Sequence, residues 1–206
     1  KFCKHSKGRK WAGRPFVLEL WQKAFIAAIF GFVDEETGFR KYKKVILFVA
    51  RKNGKSTLAA AIGLYMLLAD GEPGAECYSI ATKKDQAKIV WLEAKRMIKK
   101  NPVLLKRVKP LIAELYYEGE EAVFKPLSSE SDSLDGLNAS FVSADEVHAM
   151  KDKNLIDVTY DSMDSRDQPL FLETSTMGTV RENVFDSEYE YASNIINGYI
   201  DETSDF

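Results

Sequence analysis

The chain contains one segment in which an apolar run, a short basic turn and a run rich in alanine and leucine follow one another directly. The apolar run covers residues 45–49, and the alanine- and leucine-rich run covers residues 58–68. The turn between them reads Ala50-Arg51-Lys52-Asn53-Gly54-Lys55-Ser56-Thr57. A helix that begins at Gly-Lys-Ser offers unpaired backbone N–H groups and the positive end of its dipole to an anion. The segment therefore predicts a strand, a phosphate-binding loop at residues 51–57 and a helix.

The phosphate-binding motif predicts a role for several side chains of this loop, although the loop differs from the usual pattern at one position. In that pattern Lys55 reaches the β- and γ-phosphates, and the Ser56 hydroxyl is a ligand of Mg²⁺. Arg51 and Lys52 would add cationic contacts to the γ-phosphate. The pattern also has a glycine where this chain has Val49. A Gly-Lys-Ser triplet alone is weak evidence. The prediction of a site for ATP and Mg²⁺ therefore depends on the strand before the triplet and the helix after it.

Composition places the chain among ordinary globular proteins. Its 206 residues are 45% hydrophobic and 29% charged, which suits a single domain with a substantial core. The net charge of −2 gives no overall argument for nucleic-acid binding. Cys3 and Cys77 lie far apart without metal-ligand spacing, which argues against a zinc site and favours a reducing compartment. No apolar run reaches the roughly 18–20 residues of a membrane span, so no membrane partner is expected.

Helical and extended patterns alternate along the chain. Helices are predicted at residues 16–32, 55–69, 85–100, 154–163 and 189–197, with Thr82 as a candidate cap of the third. Strands are predicted at residues 44–49, 76–81, 112–117, 122–127, 140–144 and 170–172. The alternation predicts an α/β fold with a largely parallel central sheet flanked by helices. In such sheets ligands bind beyond the carboxyl ends of the strands, where several polar motifs of this chain lie.

Two adjacent acidic residues follow the predicted strand at residues 140–144. Asp145 is expected to hold Mg²⁺ and its waters, and Glu146 to orient and deprotonate an attacking water as the general base. The alternative is a solvated acidic pair in a loop, but the preceding strand and the upstream loop favour the catalytic interpretation. His148 completes an Asp-Glu-Val-His string, and a role in coupling the site to a moving partner cannot be read from the sequence.

Three further groups have a functional and a structural interpretation. The hydroxyls of Thr174, Ser175 and Thr176 end a strand, where they would sense the γ-phosphate or simply form a turn. The Gln22 amide can pair with adenine N6 and N7, although a helical glutamine is usually a surface residue. Arg166 precedes a core strand and is a candidate arginine finger for a neighbouring subunit, with a solvent-exposed side chain as the more frequent alternative.

Taken together, these motifs resemble the ATPase domain of phage large terminase subunits, the motors that package DNA into procapsids. The loop at residues 50–56 looks like that family's variant Walker A motif, which often lacks the first glycine and carries Arg or Lys within. Residues 15–22 are similar to its adenine-reading segment. Residues 133–138 before residues 141–148 look like the approach to its Walker B motif and catalytic glutamate. Residues 80–87 and 174–176 resemble its strand-to-helix motif and its coupling motif.

The resemblance implies a P-loop NTPase of the RecA-like, ASCE type that uses ATP and Mg²⁺. It also implies assembly as a homo-oligomeric ring around double-stranded DNA, with the portal and the small terminase subunit as partners. The isolated fragment could be monomeric. The expected location is the cytoplasm of an infected or lysogenic bacterial host, at the procapsid during packaging. Family nuclease domains follow the ATPase domain, so this fragment is not expected to cut DNA.

One ATPase domain is predicted over residues 1–206. Residues 1–43 form an adenine-side segment and helix, residues 44–180 the P-loop core, and residues 181–206 a helix and the start of a linker. Two alternatives share parts of the pattern. A DExH-type helicase has the same Asp-Glu-x-His string but needs a second RecA-like domain, and this chain has room for one. The second alternative is a nucleotide-dependent DNA-binding scaffold with a degraded loop, which would explain why Val49 replaces the usual glycine. A measurement of Mg²⁺-dependent ATP affinity separates it from the enzymes, because absence of binding would support the scaffold.

Overall fold

The computed structural model describes residues 3–6, 8–129, 134, 136–150, 153–176 and 184–200. The helices are α1 (Leu20–Gly31), α2 (Lys55–Leu68), α3 (Lys84–Lys99), α4 (Pro102–Arg107), α5 (Asn154–Asp161) and α6 (Val184–Ile196). A short 3-10 helix covers Val147–Ala149. The strands are β1 (Lys44–Phe48), β2 (Glu76–Ala81), β3 (Val108–Pro110), β4 (Leu115–Tyr117), β5 (Ala122–Ser128), β6 (Ala139–Asp145) and β7 (Leu170–Ser175).

All seven strands belong to one sheet with the order β1-β7-β6-β2-β5-β4-β3. The five strands from β1 to β5 in this order pair in parallel, and β4 and β3 extend the sheet as an antiparallel edge. The predicted α/β fold with a largely parallel sheet is therefore confirmed. Because β1, β7 and β6 are parallel neighbours, the segments that follow them meet at one edge of the sheet.

Helices cover both faces of the sheet. Along β7, the side chains of Leu170 and Leu172 pack toward the face covered by α1, α2, α3 and α4, whereas Phe171 packs toward α5 and α6. This alternation follows from the period of two along a strand, and burial on both faces explains the apolar runs that predicted the parallel strands. The residues at the carboxyl edge thus follow strands that are packed on both faces.

Several predicted boundaries are wrong. The first helix starts at Leu20 rather than at residue 16, because Phe16 and Leu18 pack against the core from an extended segment. The backbone cap of α3 is Lys83, and the Thr82 hydroxyl instead contacts the Gln86 side chain at 3.4 Å. Strand β7 continues to Ser175, and α6 starts at Val184 rather than at residue 189. Helix α4 and strand β3 were not predicted. Among the described helices, none combines the length and apolar character that a membrane crossing needs.

Candidate active site at the carboxyl edge of the sheet

The loop between β1 and α2 has the backbone conformation of an anion-binding turn. Lys52 and Gly54 both adopt left-handed conformations, with φ of 69° and 78°. Turns of this kind bring successive backbone N–H groups to one concave side. The Asn53 side-chain amide donates to the Ala50 carbonyl at 3.0 Å and closes the loop. Glycine suits position 54 because side chains disfavour positive φ, and α2 starts at the next residue.

Lys55 joins the loop to both predicted carboxylates. Its ammonium nitrogen lies 2.8 Å from Asp145 Oδ1 and 2.7 Å from Glu146 Oε1, and the side chain is 10% exposed. A buried ammonium of this kind requires negative partners. The two carboxylates therefore hold Lys55 at the place where strand β6 ends, next to the start of α2.

Asp145 is the central acceptor of the site. Its Oδ1 accepts from the Thr174 hydroxyl at 2.6 Å, and its Oδ2 accepts from the Ser56 hydroxyl at 2.9 Å. A carboxylate and a hydroxyl are hard oxygen donors of the kind that Mg²⁺ prefers, and P-loop enzymes hold the ion with this pair. Asp145 and Ser56 therefore fit the predicted magnesium site. The backbone N–H of Glu146 also donates to Asp145 Oδ1, at 3.1 Å.

Glu146 stands in an unusual backbone conformation. Its φ of 58° is left-handed, and its carbonyl accepts from the Ala149 N–H at 2.8 Å to begin the 3-10 helix. Non-glycine residues held in this region are strained and are frequent at functional sites. The carboxylate contacts Lys55 on one oxygen, and the Thr176 hydroxyl approaches the other oxygen at 3.5 Å. The side chain is 33% exposed, so water can reach it.

The site opens into a pocket of about 300 Å³. Its lining combines charged, amide and apolar side chains: Arg51, Gln86, Ile89, Asp145, Glu146, His148 and Ala149. Arg51 thus lines the same pocket as the acidic pair, and its contact with the γ-phosphate stays a prediction. Lys52 and Asn53 are exposed, and Thr57 is half-buried in the first turn of α2. Ile89 was not singled out from the sequence, because nothing in the α3 pattern marks which exposed residue faces the pocket.

The three residues predicted to couple the site to other elements lie where β7 ends: Thr174 and Ser175 are its last residues, and Thr176 follows it. Thr174, Ser175 and Thr176 are all buried, and the backbone carbonyl of Ser175 accepts from the Val49 N–H at 3.3 Å. Strand β7 lies between β1 and β6. The three hydroxyls are therefore between the root of the phosphate-binding loop and the acidic pair.

Gln22 lies beside the loop. A Cβ built on Gly54 would be 3.8 Å from Gln22 Nε2. The Gln22 side chain is buried, and its Oε1 accepts from the backbone N–H of Glu19 at 3.0 Å as part of a capping box. The structure thus places Gln22 beside the predicted phosphate-binding loop, and the capping bond gives it a structural role that the sequence did not reveal. Reading of adenine by Gln22 stays a prediction.

Arg166 does not match the prediction of an arginine finger. Its guanidinium donates to the Asn138, Pro73 and Gly74 carbonyls at 2.9 to 3.2 Å, and its side chain is 12% exposed. Asn138 and Gly74 precede β6 and β2, so Arg166 lies at the amino edge of the sheet, opposite the phosphate-binding loop. A finger needs a free guanidinium that reaches a neighbour's phosphates. The Arg166 guanidinium instead connects its own loop with the loops that precede β2 and β6.

A buried charge network lies on the α5 and α6 face of β7. Lys44 Nζ is 3.4 Å from Glu173 Oε1 and 2.5 Å from Glu188 Oε2, and Lys153 Nζ is 2.9 Å from Glu188 Oε1. Burial raises the pKa of Glu173 to about 7, against the lowering effect of the Lys44 ammonium. Hydrogen bonds from both lysines lower the pKa of Glu188 despite its burial. Because these residues come from four separate segments, the sequence carried no signal of the network.

Comparisons with known proteins agree with this geometry. Residues 20–194 match the sequence model of the terminase large subunit ATPase domain. The chain is 30% identical over 181 residues to the terminase large subunit of Enterobacteria phage HK97, covering 85% of this chain and 34% of that protein. The chain thus spans about a third of this relative's length.

Solved structures give the same result. The crystal structure of the HK97 bacteriophage large terminase superposes with a TM-score of 0.80 at 25% identity, over 97% of this chain and 40% of that one. The large terminase ATPase domain of Thermus phage P74-26 has the same fold, with a TM-score of 0.56 at 19% identity, over 80% of this chain and 67% of that one. The helicase and scaffold alternatives are not favoured. The chain therefore belongs to the terminase large subunit family and contains its ATPase domain.

Proposed function

We propose that this chain binds ATP together with Mg²⁺ and hydrolyses it to move double-stranded DNA during phage DNA packaging. The observation that carries the proposal is the meeting of Lys55, Asp145 and Glu146 at the carboxyl edge of the sheet. Membership in the terminase family supports the ATPase part, and the positions of the individual side chains support the assignment of roles.

Each residue of the site has surroundings that suit one step. Lys55 would exchange its two carboxylate partners for β- and γ-phosphate oxygens, which attract an ammonium group strongly. That exchange would release Glu146 to accept the proton of the attacking water. Asp145 and Ser56 would hold Mg²⁺, which neutralises phosphate charge when bound. Arg51 would contact the γ-phosphate from the rim of the pocket.

The contact with DNA is best supported on helix α3. Its partly or fully exposed residues include five cations, Lys84, Lys88, Lys95, Arg96 and Lys99, and its C-cap residue adds Lys100. Asp85 is the exposed acid of this helix, because Glu93 is buried and bonds to the Ser6 hydroxyl. Partial burial, and then the neighbouring Lys99 ammonium, lower the pKa of Lys95. A chain with a net charge of −2 thus concentrates positive charge on one helix, as phosphate-backbone binding requires.

The position of α3 connects this charge to the nucleotide site. Gln86 and Ile89, in the first half of the helix, line the catalytic pocket. The helix has 16 residues and extends about 24 Å from that end. A nucleotide-dependent shift of α3 at the pocket would therefore move the exposed cations of this helix directly. In an assembled ring that shift would act on the DNA at the centre.

The test is a triple substitution of Lys84, Lys88 and Lys99 to Gln, compared with a matched triple substitution of Lys23, Lys41 and Lys43 to Gln. We expect the α3 variant to lose about 10-fold or more in affinity for duplex DNA at low salt, with the slope of log affinity against log salt reduced by about 2–3. The matched variant should retain the slope. ATP hydrolysis, measured with and without Mg²⁺ and DNA, should depend on Mg²⁺ in all three proteins, and DNA should stimulate it less in the α3 variant.

Equal losses in the two variants would show a nonspecific effect of net charge and would contradict the α3 surface. Absence of Mg²⁺-dependent hydrolysis from the wild-type chain, with and without DNA, would contradict the ATPase proposal itself.

The wider assignment follows the family. We propose a homo-oligomeric ring that works with the portal and the small terminase subunit in the cytoplasm of the bacterial host. Because Arg166 is engaged elsewhere, the arginine that would complete a neighbour's site stays unassigned.

A further inference from the structure

The imidazole ring of His148 contacts residues from two neighbouring strands. His148 lies in the 3-10 helix after Glu146, and its side chain is 15% exposed. Its Nδ1 lies 3.2 Å from Glu146 Oε2 and 3.0 Å from the Ser175 hydroxyl oxygen. Glu146 follows strand β6, and Ser175 ends strand β7. One ring nitrogen therefore connects the expected general base with the coupling residues.

The hydrogen-bond partners of Nδ1 indicate where the ring hydrogen lies. Because carboxylate oxygens accept hydrogen bonds, we assign the hydrogen in the contact with Glu146 to Nδ1. Ser175 has one hydroxyl proton, which it donates to the Thr176 carbonyl at 3.2 Å, and its oxygen accepts from the backbone N–H of His148 at 3.3 Å. With the ring hydrogen on Nδ1, the hydroxyl oxygen is an acceptor toward Nδ1 as well. A single Nδ1–H is shared between two acceptors, so strengthening one bond weakens the other.

We propose that His148 is a positioning residue that relates the position of Glu146 to Ser175 through this shared hydrogen. The inference rests on the proposed role of Glu146 as the base. Here Lys55 also holds Glu146, at 2.7 Å. When Lys55 turns toward phosphate, His148 keeps Glu146 oriented, and movement of Glu146 changes the bond to Ser175. Because the Ser175 carbonyl bonds to Val49 at the root of the phosphate-binding loop, the change reaches both β7 and the loop.

The first experiment compares His148→Asn with His148→Leu. The Asn amide nitrogen is the same number of bonds from Cα as Nδ1 and keeps an N–H, whereas Leu places a methyl group there. We expect His148→Leu to lower kcat about 10-fold or more with KM changed less than about 2-fold, and His148→Asn to recover most of the loss. His5→Leu, at the chain's other histidine, should leave kcat unchanged. Equal kcat values for the Asn and Leu variants would overturn the proposal.

A double-mutant cycle tests the connection to β7. Ser175→Ala removes the second acceptor, so its effect on kcat should be smaller in the His148→Leu background than in the wild-type background. Strictly additive effects on kcat would mean that His148 and Ser175 act separately and would contradict the shared hydrogen.

A measurement that does not depend on turnover separates this inference from the proposed function. The chain has two histidines, so the ring ¹⁵N chemical shifts of His148 can be assigned by substitution of His5. We expect a protonated Nδ1, and a neutral ring protonated on Nε2 alone would overturn the proposal. If the chain did not hydrolyse ATP, the proposed function would fail, whereas the ¹⁵N shifts would still decide where the proton lies.

Discussion

Asp145 shows how single side chains organise this site. Its two oxygens accept from Lys55 and Ser56 on α2 and from Thr174 on β7. A buried carboxylate is stable only when its oxygens are satisfied, and bonds to charged groups are worth about 1.5–3 kcal/mol each. The carboxylate therefore sets the position of α2 and β7 relative to β6. The residues that would bind phosphate and those that would activate water are already in register.

Glu173 should make stability depend on pH. Its folded pKa of about 7 exceeds the ordinary value of 4.5, so the folded state binds more protons between these values. The free energy of unfolding therefore falls as pH rises from about 4.5 to about 7. The charged groups that face Glu173 are Lys44 and Lys153, which lower its pKa, and Glu188, which raises it, and the pKa of about 7 includes their effects. We predict that Glu173→Gln removes this slope, so the variant gains about 2 kcal/mol relative to wild type between pH 5 and pH 8.

Denaturant unfolding at the two pH values measures the gain. Glu118→Gln, at an exposed glutamate paired with Lys109, is the matched control and should show no such gain. If wild type and Glu173→Gln lost or gained stability in parallel with pH, the account of the buried carboxyl would be wrong.

At the scale of elements, the packing of α2 on the sheet depends on a glycine. A Cβ at Gly63 would lie 2.8 Å from Phe124 Cε1 and 3.0 Å from Phe141 Cε1, closer than carbon atoms pack. We predict that Gly63→Ala lowers the free energy of unfolding by about 1–3 kcal/mol, because the helix must move away from the sheet. Thermal or denaturant unfolding measures the change.

Gly31, at the end of α1, supplies the control for this prediction. Nothing lies within 4 Å of a Cβ built there. Gly31→Ala should be neutral or should stabilise by up to about 1 kcal/mol. Equal effects of the two substitutions would mean that close packing of α2 is not what Gly63 provides.

Elements were predictable where local pattern and burial agree. Strand β2 has the predicted bounds, and α2 starts at Lys55 as the Gly-Lys-Ser triplet indicates. Strand β7 was predicted too short because its second half, residues 173–175, is polar. Those polar residues are buried because the site and the charge network supply their partners, which no local pattern reveals.

The same limit applies to the site. Lys55, Ser56, Asp145 and Glu146 were predictable, because parallel strands bring their carboxyl ends to one edge. Arg166 instead donates to backbone carbonyls and to the Asn138 side-chain oxygen, and no sequence pattern marks these partners. The contact of His148 with Ser175 required the structure, although the Asp-Glu-Val-His string marked the residue. Ser133 and Asp135 of the approach to the Walker B motif lie outside the described residues.

In the whole molecule, the central sheet connects the candidate active site with the buried charge network. Its carboxyl edge carries the residues that we propose to bind the nucleotide, and α3 extends from that edge with its exposed cations. The other face of β7 connects through Glu173 and Lys44 to Glu188 on α6. Strand β7 is thus in contact with the phosphate-binding loop, the acidic pair and α6. Under the proposed function, hydrolysis at the site would move these elements together. The domain division at residues 43 and 180 stays a prediction.

Under the proposed function, Glu146 activates the water that attacks bound ATP. ATP affinity and hydrolysis rate, measured for wild type and Glu146→Gln with Mg²⁺ and duplex DNA present, test this role. We predict that the variant binds ATP within about 3-fold of wild type and hydrolyses it at least about 100-fold more slowly, because Gln cannot accept the proton. Hydrolysis by the variant at the wild-type rate would contradict the account.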